Sequence, residues 1–439
     1  MKLSSVFGAW VCSAFMYSAA QADDLIDIYH LALDNDPDLK FVYYNQYATA
    51  ELKSQSIAQM LPQINLTASS SLNRLVNNKS FTFQGGGPQN YWNNLFSINL
   101  RQPIFNWGHW VQLGQADNRI AAAEAQYQAK FQELMVVTTE AYFNVLSAQD
   151  NLFFTVAEKK AIEKQLEQAK QRFEVGLIAI TGVYEAQAAY DQSVANEYEA
   201  ENQLHSQEEA LYELIGPYQG KLNLLKKPLE LVMPDPSDID VWDKGAEQNN
   251  FSIVAQINQT EVARKQINLN RSEHLPVIDI VAGYSQQDNT SSFGLRGNTE
   301  TVGLELNIPL FSGGGTYSRT QQAEYEFLKE KENLTKIKRS VSRQVRDAYH
   351  SVESNLSRVK ALRATVKSST SALEATEAGF SVGTRTMVDV LAEQRNLYRT
   401  KADFSRSRYD YLISGIRLKQ AAGSLSETDL EQINVFLQP

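Results

Sequence analysis

No proline interrupts the stretch from Asn106 to Val175, and from Tyr127 onward apolar and small residues recur alternately four and three places apart. The positions are Phe131, Leu134, Thr138, Ala141, Val145, Ala148, Leu152, Thr155, Lys159, Ile162, Leu166, Ala169 and Phe173. That spacing is a heptad seam, the mark of a helix packed lengthwise against other helices. At 1.5 Å per residue such a helix runs roughly 100 Å, a length for which an ordinary globular core has no use. Moved forward by 207 residues the seam reappears, from Leu334 and Lys338 through Val341, Val345, Ala348, Val352, Asn355 and Val359 to Phe380. Leu362 and Val366 fill the two slots that Thr155 and Lys159 leave polar. A register kept over so many positions is the trace of an internal duplication.

Each long helix ends on a related word. Residues 173–183 read FEVGLIAITGV, and residues 379–390 read GFSVGTRTMVDV. In register, Phe173 matches Phe380, Val175 matches Val382, Gly176 matches Gly383 and Val183 matches Val390. A glycine ends the incoming helix because it takes a left-handed backbone cheaply. Thr181 and Thr386 lie at or near the expected N-cap of the outgoing helix. Each word predicts a tight reversal between antiparallel helices.

The rest of the chain repeats as well. After a helical pattern from Asp24 to Met60, the period changes to two at Leu61-Pro62. Ile64, Leu66 and Ala68 fall on one face, and Gln63, Asn65, Thr67 and Ser69 on the other. A polar tip, Asn77 to Asn90 with Gly85-Gly86-Gly87, leads to a second strand in which Phe96, Ile98 and Leu100 alternate with Ser97, Asn99 and Arg101. The second half has its own pair: Ile278, Ile280, Ala282 and Tyr284 on one strand, Val302, Leu304, Leu306 and Ile308 on the next. Asp34, Asp36 and Asp38 alternate as in a calcium loop. Leu39 stands where that loop needs glycine, so they read as a solvated helix junction around Pro37.

The expected layout is a signal peptide at 1–22 and a first repeat at 23–235, with a hairpin at about 63–104, a long helix at about 106–175, a helix to 215 and a connector. A second repeat at 236–423 holds a hairpin at about 277–310, a long helix at about 314–380 and a helix to 422, and a tail occupies 424–439. Lys2, an apolar run to Ala20 and Ala20-Gln21-Ala22 before Asp23 carry the signal reading. Its removal takes one lysine and no acid from a net charge of −10, and it takes Cys12, the one cysteine. An acidic exported chain argues against nucleic acid as a partner.

No catalytic, cofactor or metal constellation stands out. The histidines, His30, His109, His205, His274 and His350, are scattered, and no Gly-x-Ser-x-Gly elbow, Walker loop or dinucleotide fingerprint occurs. The chain therefore reads as a non-enzyme. The four alternating strands fit a wall with lipid on one side and water on the other. Four strands cannot close a barrel, and an open edge cannot stand in lipid, so the chain must oligomerise. Two copies make eight strands and three make twelve. Aromatics near the strand ends (Tyr91, Trp92, Phe105, Trp107, Trp110, Phe311 and Tyr317) favour that wall over a soluble sheet. The competing class is a structural or adhesive coiled-coil protein of the periplasm or surface, against which the strands and the strict duplication speak.

Over its whole mature length the sequence resembles the TolC-type outer-membrane efflux channels. The words that carry the resemblance are Arg172-Phe173-Glu174-Val175-Gly176-Leu177, Ser381-Val382-Gly383-Thr384-Arg385-Thr386 and Ala141-Tyr142-Phe143-Asn144-Val145-Leu146. The resemblance implies a fold that is mainly α with membrane β. A homotrimer would form a twelve-stranded β-barrel in the outer membrane of a Gram-negative bacterium. The barrel would continue as a long α-helical barrel, with a mixed α/β belt holding the connector and tail. It implies a passive exit duct for efflux or type I secretion, working with a periplasmic adaptor and an inner-membrane pump or ABC transporter. The adaptor-docking tips are then Val175, Gly176, Leu177, Val382, Gly383 and Thr384. The gate and selectivity residues are Asp389, Arg385, Thr181 and Phe380. From the residues alone Asp389 is a first-turn acid that complements the helix dipole; the resemblance makes it an acidic ring. Phe380 stands where the family has a tyrosine, Gly182 where it has an aspartate, and Ala392 where it has a second acidic ring. The expectation is a tip that rests more open than the family's archetype, with one cation-selective ring.

Overall fold

A computed structural model describes residues 23–76, 89–218, 220–225, 231–291 and 294–437. The signal reading at 1–22, most of the Asn77–Asn90 tip with its three glycines, and the connector proline Pro228 lie outside the described residues.

Helix α1 (Leu25–Asn35) opens on a reciprocal cap. The Asp24 carboxylate accepts from the Asp27 N–H at 3.0 Å, and the Asp27 carboxylate accepts from the Asp24 N–H at 3.2 Å. Helix α2 (Pro37–Ala58) starts on proline, whose ring forces Asp36 out of the helical region and ends α1. Asp34, Pro37 and Asp38 are exposed, as a solvated junction requires, whereas Asp36 is buried. The strands β1 (Gln63–Leu75) and β2 (Gln89–Phe105) follow, then α3 (Trp107–Glu174) and α4 (Ile180–Ile215). The second half runs α5 (Ile239–Asn249), α6 (Phe251–Ser272), β3 (Val277–Asn289), β4 (Arg296–Asn307), α7 (Gly315–Ser381) and α8 (Met387–Ala421). The duplication is almost exact in length: α3 and α7 have 68 and 67 residues, and α4 and α8 have 36 and 35. Helix α9 (Glu427–Asn434) has no counterpart among the described residues.

Two compact units form, and each contains part of both sequence repeats. One comprises residues 38–131 and 243–344. Its antiparallel sheet has the order β1-β2-β3-β4, so the two hairpins join through β2 and β3. The register puts Ile64, Leu100, Ala282 and Val302 in one cross-strand row and Asn65, Asn99, Gly283 and Thr301 in the next, on the opposite face. Period-two alternation thus produces one mainly apolar and one mainly polar face, with Gln286, Asn298 and Glu300 interrupting the apolar face toward the hairpin tips. Val302 on the apolar face is 84% exposed, as a single-layer sheet requires. Pro103, which has no N–H to donate, sits where the β2–β3 register shifts. In the same unit α6 lies along α3: Lys265 donates to the Gly114 carbonyl at 2.7 Å, and Gln115 donates to the Val262 carbonyl at 3.1 Å.

The other unit comprises residues 23–37, 132–242 and 345–437 among those described. Leu25, Ile28 and Tyr29 of α1, Leu211 and Ile215 of α4, and Leu430 of α9 are fully or almost fully buried. Asn434 of α9 accepts from the Leu25 N–H and donates to Asp24. Asp23 forms a parallel bridge to Leu222, and Leu225 an antiparallel bridge to Leu437. Parts of the connector and of the tail are therefore paired within one patch beside α1. The heptad seam lies largely inward, with Leu134, Thr138, Val145, Ala148, Ile162 and Ala169 of α3, and Val345, Val352 and Val359 of α7, all buried.

Candidate functional site

Both long helices end in the same hydrogen-bonded device. At the end of α3 the Gly176 N–H donates to the Phe173 carbonyl at 2.9 Å, and the Leu177 N–H donates to the Arg172 carbonyl at 2.8 Å. At the end of α7 Gly383 donates to Phe380 at 3.2 Å, and Thr384 donates to Gly379 at 2.9 Å. This paired pattern satisfies the last helix carbonyls and needs a left-handed residue between them. Gly176 has φ 75° and Gly383 has φ 81°. Thr384 adds a second tie, its hydroxyl donating to the same Gly379 carbonyl. At the apices Val175, Leu177 and Val382 are exposed by 70–75%.

The outgoing helices differ. Thr386 caps α8: its hydroxyl accepts from the Asp389 N–H, and the Asp389 carboxylate accepts from the Thr386 N–H at 2.9 Å. Those bonds, with Arg385 nearby, hold the Asp389 carboxyl below the usual carboxylate range. Helix α4 has Ala179 at its N-cap and no side-chain cap. Thr181 is therefore a residue of the first turn and not the cap expected from the sequence. At the offset of 207, Ala179 stands for Thr386 and Gly182 for Asp389, so the first copy lacks both members of the box.

Phe380 and Arg385 part company. Phe380 packs against an apolar cluster of Ile162, Leu166 and Ala169 from α3, Val183 and Ala186 from α4, and Met387 and Leu391 from α8. The Arg172 guanidinium carbon lies 4.7 Å from the Phe380 ring centroid, a cation–π distance. The cluster ties the first helical hairpin to the second within one chain. Arg385 is exposed and lies against Gly379, where an added Cβ would meet its Cγ at 2.7 Å. Arg172 is the residue that sequence reasoning left without a role. Ile162, Leu166 and Ala169 were visible as seam positions, but their partners on α8 were not.

Chemically the tip offers a backbone reversal, an apolar apex and the anchored carboxylate of Asp389. Among the described residues no cluster of histidine, cysteine or carboxylates could hold a metal ion.

Residues 28–217 and 244–424 match the family described as outer membrane efflux protein. The chain is 39% identical to outer membrane protein TolC of Vibrio cholerae, over 96% of this chain and 95% of that protein. It is 29% identical to the alkaline protease secretion protein AprF of Pseudomonas aeruginosa, over 97% of this chain and 90% of that one. Its fold is similar to that of the CmeC outer membrane channel of Campylobacter jejuni, with a TM-score of 0.79 at 17% identity, over 93% of this chain and 88% of that chain.

Proposed function

The chain belongs to the outer membrane efflux protein family, and from that premise we propose that it is the passive exit duct of a tripartite efflux pump or a type I secretion system. It works as a homotrimer in the outer membrane, with a periplasmic adaptor on its helix tips and an inner-membrane pump or ABC transporter behind the adaptor. The observation that carries this reading is the single-layer sheet. Its apolar face is exposed, and among the described residues β1 and β4 end it without a partner strand. An open edge in lipid leaves backbone groups unpaired at several kcal/mol each, so closure by further copies is required. The apolar face then meets lipid and the polar face meets water. Light scattering of the protein in mild detergent, with detergent mass subtracted, should give three chains. A monomer or dimer would sink the architecture.

Asp389 supplies the selectivity. Its anchored carboxylate stays ionised at neutral pH, and three copies form a ring that favours cations. Asp389→Asn keeps acceptor capacity for the Thr386 cap while removing the charge. In planar bilayers it should lower the cation preference several-fold at low salt. An unchanged reversal potential would reduce Asp389 to a helix cap.

A further inference from the structure

On the polar face of the sheet two carboxylates stand directly opposite each other. Asp279 of β3 and Glu305 of β4 are cross-strand partners. Like charges in that position destabilise a sheet. Arg101 of β2 offsets the repulsion from one strand further along. Its Nε and Nη2 donate to the same Asp279 oxygen at 2.9 and 2.5 Å, while Nη2 stays 3.6 Å from the nearer Glu305 oxygen. The two acids are not equivalent. The Asp279 side chain is 5% exposed and doubly hydrogen-bonded, whereas that of Glu305 is 50% exposed and held only by a longer contact.

We propose that Glu305 is a second charge-selecting residue of the duct, held on the water-facing side of the sheet beside the Arg101–Asp279 pair. The proposal rests on reading that face as the wall of the lumen. One guanidinium between two carboxylates leaves one net negative charge per chain. Asp279, desolvated and doubly bonded, takes up the charge of Arg101. The surplus falls on Glu305, the acid that solvent reaches. His109 also faces Asp279, and its burial keeps its pKa below the ordinary histidine value, so it does not cancel the surplus at neutral pH. A clamp needed only to hold β2 against β3 is complete with Arg101 and Asp279. Both hydrogen bonds of that clamp go to Asp279, and Glu305 adds only the 3.6 Å contact, so a neutral residue at 305 would leave both bonds in place and remove the surplus charge. Three copies place three such charges around the lumen, in addition to the carboxylates of Asp389.

The test is the reversal potential of purified protein in planar bilayers under a potassium chloride gradient, for wild type, Glu305→Gln and Glu305→Lys. Heat-resistant trimers on gels report folding. At about 0.1 M salt Glu305→Gln should lower the potassium-to-chloride permeability ratio about twofold, and Glu305→Lys should lower it further, because its charge change is twice as large. At about 1 M, where the screening length is about 3 Å, the difference should fade. Combined with Asp389→Asn, the shifts in log ratio should add, as they do for independent sites. Ratios equal to wild type in both folded variants would overturn the proposal. A wild-type protein that forms no channels would instead overturn the duct reading on which the proposal depends.

Discussion

Gly383→Glu is expected to abolish export while leaving folded trimers in the membrane. Gly383 holds φ 81°, and a side chain there costs about 1–2 kcal/mol of left-handed strain. That cost is borne by one exposed turn. Nothing lies within 4 Å of the Cβ that would be added, so no packed neighbour has to move. What changes is the apex, where a carboxylate would stand beside Val382, itself 75% exposed. An apolar contact that has to accept an unpaired charge loses several kcal/mol, and a hot-spot loss of about 2 kcal/mol already lowers affinity some thirtyfold. Leu177→Glu is the companion test. Leu177 is 72% exposed and needs no unusual backbone for its replacement, so it carries the charge without the strain. Trimer yield, adaptor crosslinking and export should be measured on the same membranes. Normal export in both variants would remove the tips as the docking surface. A collapse in trimer yield with Gly383→Glu alone would trace its effect to the turn.

Phe380→Ala is expected to raise the resting conductance in planar bilayers, and by more than Gly182→Asp lowers it. Truncating a core phenylalanine costs about 3–5 kcal/mol when the ring is fully buried. Phe380 is partly buried, so the smaller part of that range applies, together with about 0.5–1 kcal/mol for the Arg172 contact. Arg172→Gln should give a small rise in the same direction. Gly182→Asp adds a carboxylate in the first turn of α4, where Ala179 has no hydroxyl to reciprocate, and its partner would have to be Arg385. The sequence makes that missing partner the reason for a loosely latched tip. Phe380 lies among the side chains of three helices, so apolar packing is the closure we propose as the stronger. If Gly182→Asp lowers conductance strongly and Phe380→Ala leaves it unchanged, the polar latch governs and the cluster is only structural.

Much of the fold was legible because its signals are local. Proline at Pro37, glycine at Gly176 and Gly383, and the four-three spacing of the seams act on the backbone within one or two turns. Helices α1, α3 and α7 end, and α2 begins, beside the proline and the two glycines. The caps were harder. Thr181 and Thr386 look alike in sequence, yet only Thr386 caps a helix. The turn geometry fixes the first helical residue, and a side chain two places past the cap points away from the free N–H groups. At the Pro37 junction Asp34 and Asp38 are exposed and only Asp36 is buried, a difference that the spacing of the three acids does not encode.

By itself the sequence determined the kind of element at each place, the duplication and the face each strand turns to one side, since these follow from periods of 3.5 and two along the chain. Only the tertiary structure decided which elements meet. Arg101 finds Asp279 across 178 positions, and β2 of one repeat pairs with β3 of the other, so that each compact unit draws on both repeats. Phe380 finds Ile162 and Met387 in the same way. Such contacts are selected by the fit of whole surfaces and by the desolvation that accompanies it, and neither is written in the spacing of neighbouring residues.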